Sequence, residues 1–193
     1  MAIMLELIGA ALVSAIIIVR VAQMGGAMSN ENVDTNLQVI AQENASTIAS
    51  MLEYDLYKIG YHDTTQPPII TVADSDRITF KADIDRQNGV DVIRYFTDTT
   101  GTGSTSGYKK LYRLVNTTSG QGALLGVKTF KLTYYDNDGL LIVLPTPTDS
   151  ASLVRIKSIK LQLLVQNPYA LDTALAGIYW EKLISPKNLR TLL

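Results

Sequence analysis

The chain has 193 residues, a net charge of −1 and no cysteine. Once an apolar N-terminal run is set aside, that length suits one domain of ordinary size. Lys and Arg are spread along the chain, which gives no electrostatic case for a nucleic-acid partner, and the lack of cysteine removes disulfides, thiolate metal sites and cysteine nucleophiles together.

The apolar run extends from Ala2 to Met24, and its first residues read Ala2-Ile3-Met4-Leu5-Glu6-Leu7-Ile8-Gly9. Glu6 is out of place there. A carboxylate at membrane depth costs about 3 kcal/mol on insertion scales, so by default it marks function. Leu7 to Val19 is uncharged but short for a bilayer, and it becomes a workable span of about 20 residues if Glu6 and Arg20 sit near the two interfaces. A cleaved secretory signal would need a basic side chain before the run and a small-residue cleavage site after it; the chain offers neither. A plain signal anchor remains open, though it gives Glu6 no role.

Gly25-Gly26-Ala27-Met28-Ser29-Asn30 follows, a stretch of poor helix formers. Helical periodicity then returns, with Val33, Leu37, Ile40, Ala41, Ile48, Leu52, Leu56 and Ile59 on one face. Gly60 is the expected C-cap, with Lys58 in the last turn. If the two parts join, the helix is about 85–90 Å long at about 1.5 Å per residue. No domain of this size buries such a helix throughout. The first half therefore needs a membrane or other subunits, and Gly25 and Gly26 are the expected hinge, where the rod bends or locally unwinds.

Beyond Gly60 the chain is expected to form strands: Ile78 to Ala82, Val92 to Phe96, Tyr108 to Val115, Val127 to Tyr135, Leu140 to Leu144 and a long Leu153 to Gln166. The last changes parity between Ile156 and Leu161, which a bulge near Lys157-Ser158 would reconcile. Turn chemistry separates them at Asn88-Gly89, 101–107, Gly120-Gln121-Gly122 and Asp136-Asn137-Asp138-Gly139. A helix followed by consecutive strands gives an α+β class with an antiparallel sheet. The expected organisation is an apolar helix over 1–28, an amphipathic continuation over 29–61 and a sheet domain over 62–193.

The order of these features resembles the type IV pilin and pseudopilin superfamily. Members begin with an apolar helix bearing a glutamate four residues after the first residue of the processed chain, and Glu6 stands so relative to Ala2. Tyr54-Asp55-Leu56-Tyr57-Lys58-Ile59-Gly60-Tyr61 resembles the helix end of the larger minor pilins (the W type) and the J-type pseudopilins. Asp76 to Asp85, Leu111-Tyr112-Arg113, Phe130 to Gly139 and Ser185-Pro186-Lys187-Asn188-Leu189 are similar to later parts of that group, in the same order. The family carries a basic leader ending in glycine before the processed residue, whereas here only Met1 precedes Ala2. The resemblance implies a pilin-like fold and a subunit held in the inner membrane before it joins an extracellular filament. Its partners would be copies of itself and other pilin-like subunits. In that filament Glu6 would pair with the Ala2 ammonium of a neighbour and set register, with Arg20 at the other end of the apolar span. A buried carboxylate is tolerable when paired. The alternative leaves Glu6 solvated at the interface of a simple membrane anchor carrying a binding domain.

Other signals have two readings each. Asp83, Asp85, Asn88 and Asp91 offer hard oxygen ligands that suit Ca²⁺, and Asx turns explain the same residues without a metal; Asp136 and Asp138 stand likewise. Asn116-Thr117-Thr118 matches an N-glycosylation acceptor, a short pattern often met by chance. His62, the only histidine, follows the helix end as a surface or capping residue. Tyr179 and Trp180 are expected to pack on the sheet or helix. With no Ser/His/Asp order, P-loop or dinucleotide fingerprint, the expectation is a protein that is not an enzyme and needs no cofactor.

Overall fold

The computed structural model describes residues 2–63, 68–87, 89–98, 107–116, 121–143, 150–166 and 177–190. Helix α1 runs without interruption from Ala2 to Tyr57, 56 residues, or about 84 Å at about 1.5 Å per residue. Gly25 and Gly26 lie inside it, so the expected unwinding is absent: α-helical hydrogen bonding continues through both despite the conformational freedom they allow. The helix tightens at its end. Lys58 N and Ile59 N donate to carbonyls three residues back, Asp55 O (3.1 Å) and Leu56 O (3.3 Å), and Gly60 closes the turn at φ +72°. A Cβ there would lie 2.8 Å from Ile69 Cδ1 and 3.1 Å from Asn188 Cβ, so a side chain at this positive φ is strained and forces its neighbours to shift.

Among the described residues, eight strands follow in one antiparallel sheet. They are β1 (Ile70–Ala73), β2 (Arg77–Ala82), β3 (Asp91–Asp98), β4 (Lys109–Val115), β5 (Gln121–Tyr135), β6 (Leu141–Ile142), β7 (Ser158–Gln166) and β8 (Gly177–Ile184). Two short helices complete the described residues, α2 (Ser150–Val154) and α3 (Lys187–Arg190). The strand order is β1-β2-β3-β4-β5-β7-β8, with β6 hairpinned onto β5. An α+β fold with a long N-terminal helix and an antiparallel sheet is thus present.

Four elements differ from expectation. The long strand at 153–166 is instead helix α2 followed by β7, and the parity change marks that junction, not a bulge. Gln121 and Gly122 belong to β5, not to a turn; most of the 101–107 tract lies outside the described residues. Strands β1 and β8 were not anticipated, so Tyr179 and Trp180 stand on a strand of the sheet itself.

Strand β5 joins two halves of the sheet, pairing with β4 up to Val127 and with β7 from there to Tyr135. At the change of partner Gly126 adopts φ +86°, and a Cβ on it would lie 2.7 Å from the Gln166 carbonyl oxygen. The β1–β2 turn folds back onto β5, where Leu132 N donates to Ser75 O (2.7 Å) and the Tyr134 hydroxyl to Asp74 O (2.9 Å). The sheet therefore curls around its inner face. Alternate residues of β7, Ile159, Leu161, Leu163 and Val165, point into that face. The last turns of α1 cover it with Ile48, Leu52 and Leu56, packing on β5, β7 and β8.

Candidate functional site

Burial divides α1 differently from the expected 28/29 boundary. Ala41, Ala45, Ile48, Leu52, Leu56 and Ile59 are buried and Leu37 is half-buried, but Val33 and Ile40 are exposed. The sheet domain is simply too short to reach them. From Ile3 to Val33 the large apolar side chains whose burial is described stand in the open, Ile3 at 79% and Val33 at 47% exposure, and beyond the half-buried Leu37 so do Val39 and Ile40. The helix is long and apolar enough to cross a membrane.

Of the sequence-predicted assembly residues, Glu6 and Arg20 sit on this bare part. Glu6 is exposed within a row of exposed apolar neighbours and makes no ion pair among the described residues. Ala2 lies one helical turn before it. Arg20, also exposed, reaches only Gln23, with Nη1 donating to Oε1 at 3.4 Å. Its place is about 21 Å from Glu6 at about 1.5 Å per residue, so the two cannot pair within one chain.

The lower half of α1 is fixed to the sheet by charge as well as by apolar contact. Asp55, 1% exposed, accepts at Oδ2 from the Tyr95 hydroxyl (2.6 Å) and from Arg113 Nε (2.6 Å), while Arg113 Nε lies 3.1 Å from the Tyr95 oxygen. Burial pushes the Tyr95 hydroxyl well above the ordinary tyrosine range, and the adjoining Asp55 charge pushes it further, so it remains a donor. Lys182 on β8 pairs with Glu53 and lies over the Tyr57 ring. Asn188 Nδ2 donates to the Ile59 carbonyl at 3.1 Å, and Gly60 N donates to Lys81 O at 2.9 Å. Together these set the angle at which the helix leaves the domain.

Of the candidate calcium ligands, the structure gathers Asp83, Asp85 and Asp91, with carboxylate oxygens within 4.8 Å of one another; Asn88 lies outside the described residues. Those oxygens are engaged by the loop itself. Asp83 Oδ1 accepts from Arg86 N (2.6 Å), Asp85 Oδ1 from Gln87 N (2.8 Å), and Asp91 from Ile84 N (3.2 Å) and Asn116 Nδ2 (2.6 Å). His62 Nδ1 lies 3.3 Å from Asp83, and the Lys58 ammonium donates to the Ile84 carbonyl at 2.9 Å. This is the geometry of Asx turns. Asp136 behaves in the same way, its Oδ1 accepting from Asp138 N and Leu140 N. Asn116, at φ +52°, uses both ends of its amide, since its oxygen accepts from Val92 N at 2.9 Å while its nitrogen holds Asp91. It is a turn residue that locks β3 to β4.

Two groups carry no prediction from sequence. Asp55 stands at a core position of the helical row Ile48, Leu52, Ile59, and a charge in that phase was the available signal. The other group lies on the outer sheet face, where Glu181 accepts from Lys160 Nζ (2.6 Å), Gln162 Nε2 (2.8 Å) and the Tyr179 hydroxyl. These donors, Lys160 foremost, hold the Glu181 carboxyl down to about 2. Strand β8 had to be found before these side chains could be placed together.

No protein-family model, curated protein or solved structure matches the chain.

Proposed function

We propose that the chain is a structural subunit of a type IV pilus-like extracellular filament with a pilin-like fold, anchored in the inner membrane by α1 before assembly. The carrying observation is the length of bare helix over which exposed apolar side chains recur. From Ile3 to Ile40 the exposed stretch spans about 55 Å at about 1.5 Å per residue, whereas a bilayer core is about 30 Å thick. A membrane covers roughly half of it, and Met28, Val33, Val39 and Ile40 remain exposed beyond. Packing against copies of the same helix covers the whole length. Within that bundle Glu6 meets the Ala2 ammonium of a neighbour, and a register that leaves either charge unpaired is rejected. Arg20 stands at the far end of the same contact. The network of Asp55, Tyr95 and Arg113 holds the outward-facing sheet at a fixed angle to the filament core. A minor pilin or a type II secretion pseudopilin would use the same contacts.

Electron microscopy of sheared surface filaments, with mass spectrometry of their main band, tests the reading directly. Glu6→Ala is expected to leave the chain membrane-bound but to remove it from filaments. If Glu6→Ala enters filaments at the wild-type level, the register role is wrong. If no filament contains the chain at all, it is a single-pass anchored domain.

A further inference from the structure

The sheet face turned away from α1 carries a second constellation, which packing through the helix does not use. On β5, β7 and β8, Tyr135, Ser158, Lys160, Glu181 and Leu183 line a recess of about 330 Å³, closed at one side by Gly139 of the β5–β6 turn. That volume lies at the lower end of the range for small-molecule sites, about 300–1,000 Å³. Strand register builds it. Tyr135 stands opposite Ser158, Lys160 opposite Leu183, and Gln162 opposite Glu181.

The polar side of the recess is ordered in advance. Glu181 takes Lys160 Nζ on Oε1 at 2.6 Å, and takes Gln162 Nε2 at 2.8 Å and the Tyr179 hydroxyl on Oε2. Gln162 Nε2 is also 3.0 Å from the Tyr179 oxygen. Each head group is thus held by at least one other, so little side-chain freedom remains to be lost on binding. Capacity is left over: an ammonium has three donors, and the Gln162 carbonyl oxygen and the Glu181 carboxylate have acceptor sites to share. Within the recess the Tyr135 ring and the Leu183 side chain, 58% exposed, stand beside Lys160 and Glu181, while Tyr179 and Gln162 hold Glu181 from outside it. The Lys160–Glu181 pair cancels its own charge, which gives an ionic ligand no advantage.

A ligand that fits is neutral, with an apolar flank for the Tyr135 ring and Leu183, and with several hydroxyls for Ser158, Lys160 and Glu181. We infer that this recess is a binding site for a neutral saccharide, whose C–H face lies on Tyr135 and Leu183 and whose hydroxyls meet the polar row. The proposal is independent of filament formation, because none of these residues lies on α1.

Saturation-transfer difference NMR tests it. The full chain is held in a detergent without a sugar head group and offered a panel of hexoses, N-acetylhexosamines and their disaccharides. At least one sugar is expected to show transfer to its ring protons. Its affinity is expected to fall about tenfold or more in Tyr135→Ala and in Glu181→Ala, the scale of losing one good contact. Tyr135→Phe keeps the ring and should retain part of the binding. Thermal unfolding followed by circular dichroism confirms that the variants are folded. Absence of transfer for every sugar, or transfer of equal strength in wild type and variants, overturns the proposal. So does binding that vanishes when the chain is in filaments, which would assign the recess to subunit contact. Glu6→Ala should leave sugar binding untouched while abolishing assembly, so the two readings fail separately.

Discussion

Asp55 occupies a position where helix periodicity calls for a leucine, and its carboxylate is almost wholly removed from water. Such a charge is tolerable only while its partners remain, because desolvation is repaid by close pairing and not otherwise. The two partners differ in kind. Arg113 supplies the opposite charge from β4, whereas Tyr95 supplies a neutral donor from β3. Arg113→Ala leaves the carboxylate with one neutral hydrogen bond and is expected to cost about 3–5 kcal/mol. Tyr95→Phe keeps the ion pair and the ring packing and is expected to cost about 1–3 kcal/mol. Urea unfolding of the detergent-held chain, followed by Trp180 fluorescence, measures both. If the two losses come in the reverse order, the ion pair is not what joins helix to sheet.

At the scale of elements, the sheet is held by devices that differ in how far the sequence displays them. Strand β2 was legible because apolar Ile78, Phe80 and Ala82 alternate with Thr79 and Lys81, and β3 and β4 because runs of β-branched and aromatic residues lie between turn residues there. The second half of β5 was legible as β2 was, with Phe130, Leu132 and Tyr134 facing inward. Strand β8 was not, because its residues are mostly exposed or half-buried and show no alternation of apolar with polar types. Helix α2 was masked by apolar residues that suit a strand equally well. What β8 adds is the outer row around Glu181, and that row makes stability depend on pH. The folded carboxyl titrates at about 2, against an ordinary 4.5. Its contribution is therefore complete above the ordinary value and is lost as pH falls from there toward about 2. The difference in unfolding midpoint between wild type and Glu181→Gln should be largest near neutrality and shrink through that acid window. A difference that stays constant down to the acid end would mean that the carboxylate is not held by Lys160, Tyr179 and Gln162.

For the whole molecule the governing fact is a helix much longer than the domain that carries it. That much was evident in the sequence, because the apolar run and the amphipathic run together exceed any core of this size. Where the helix meets the sheet was less evident, since Val33 and Ile40 share the apolar periodicity of residues that are buried and differ only in lying past the domain's edge. Gly25 and Gly26 show the same limit: their residue type suggests a break, yet the lone chain continues its helical hydrogen bonds through them. A Cβ at either position would touch nothing, so each Gly→Ala change should stabilise the isolated helix by roughly 1 kcal/mol. In a bundle of such helices the same glycines permit what alanine resists, a local bend or a close approach of backbones. The double change Gly25→Ala, Gly26→Ala is therefore expected to raise helicity and thermal midpoint in detergent, read by circular dichroism, while lowering the number of filaments counted by electron microscopy. A rise in both would show that the helices assemble straight and well separated at that level, and the glycines would then have no part in packing.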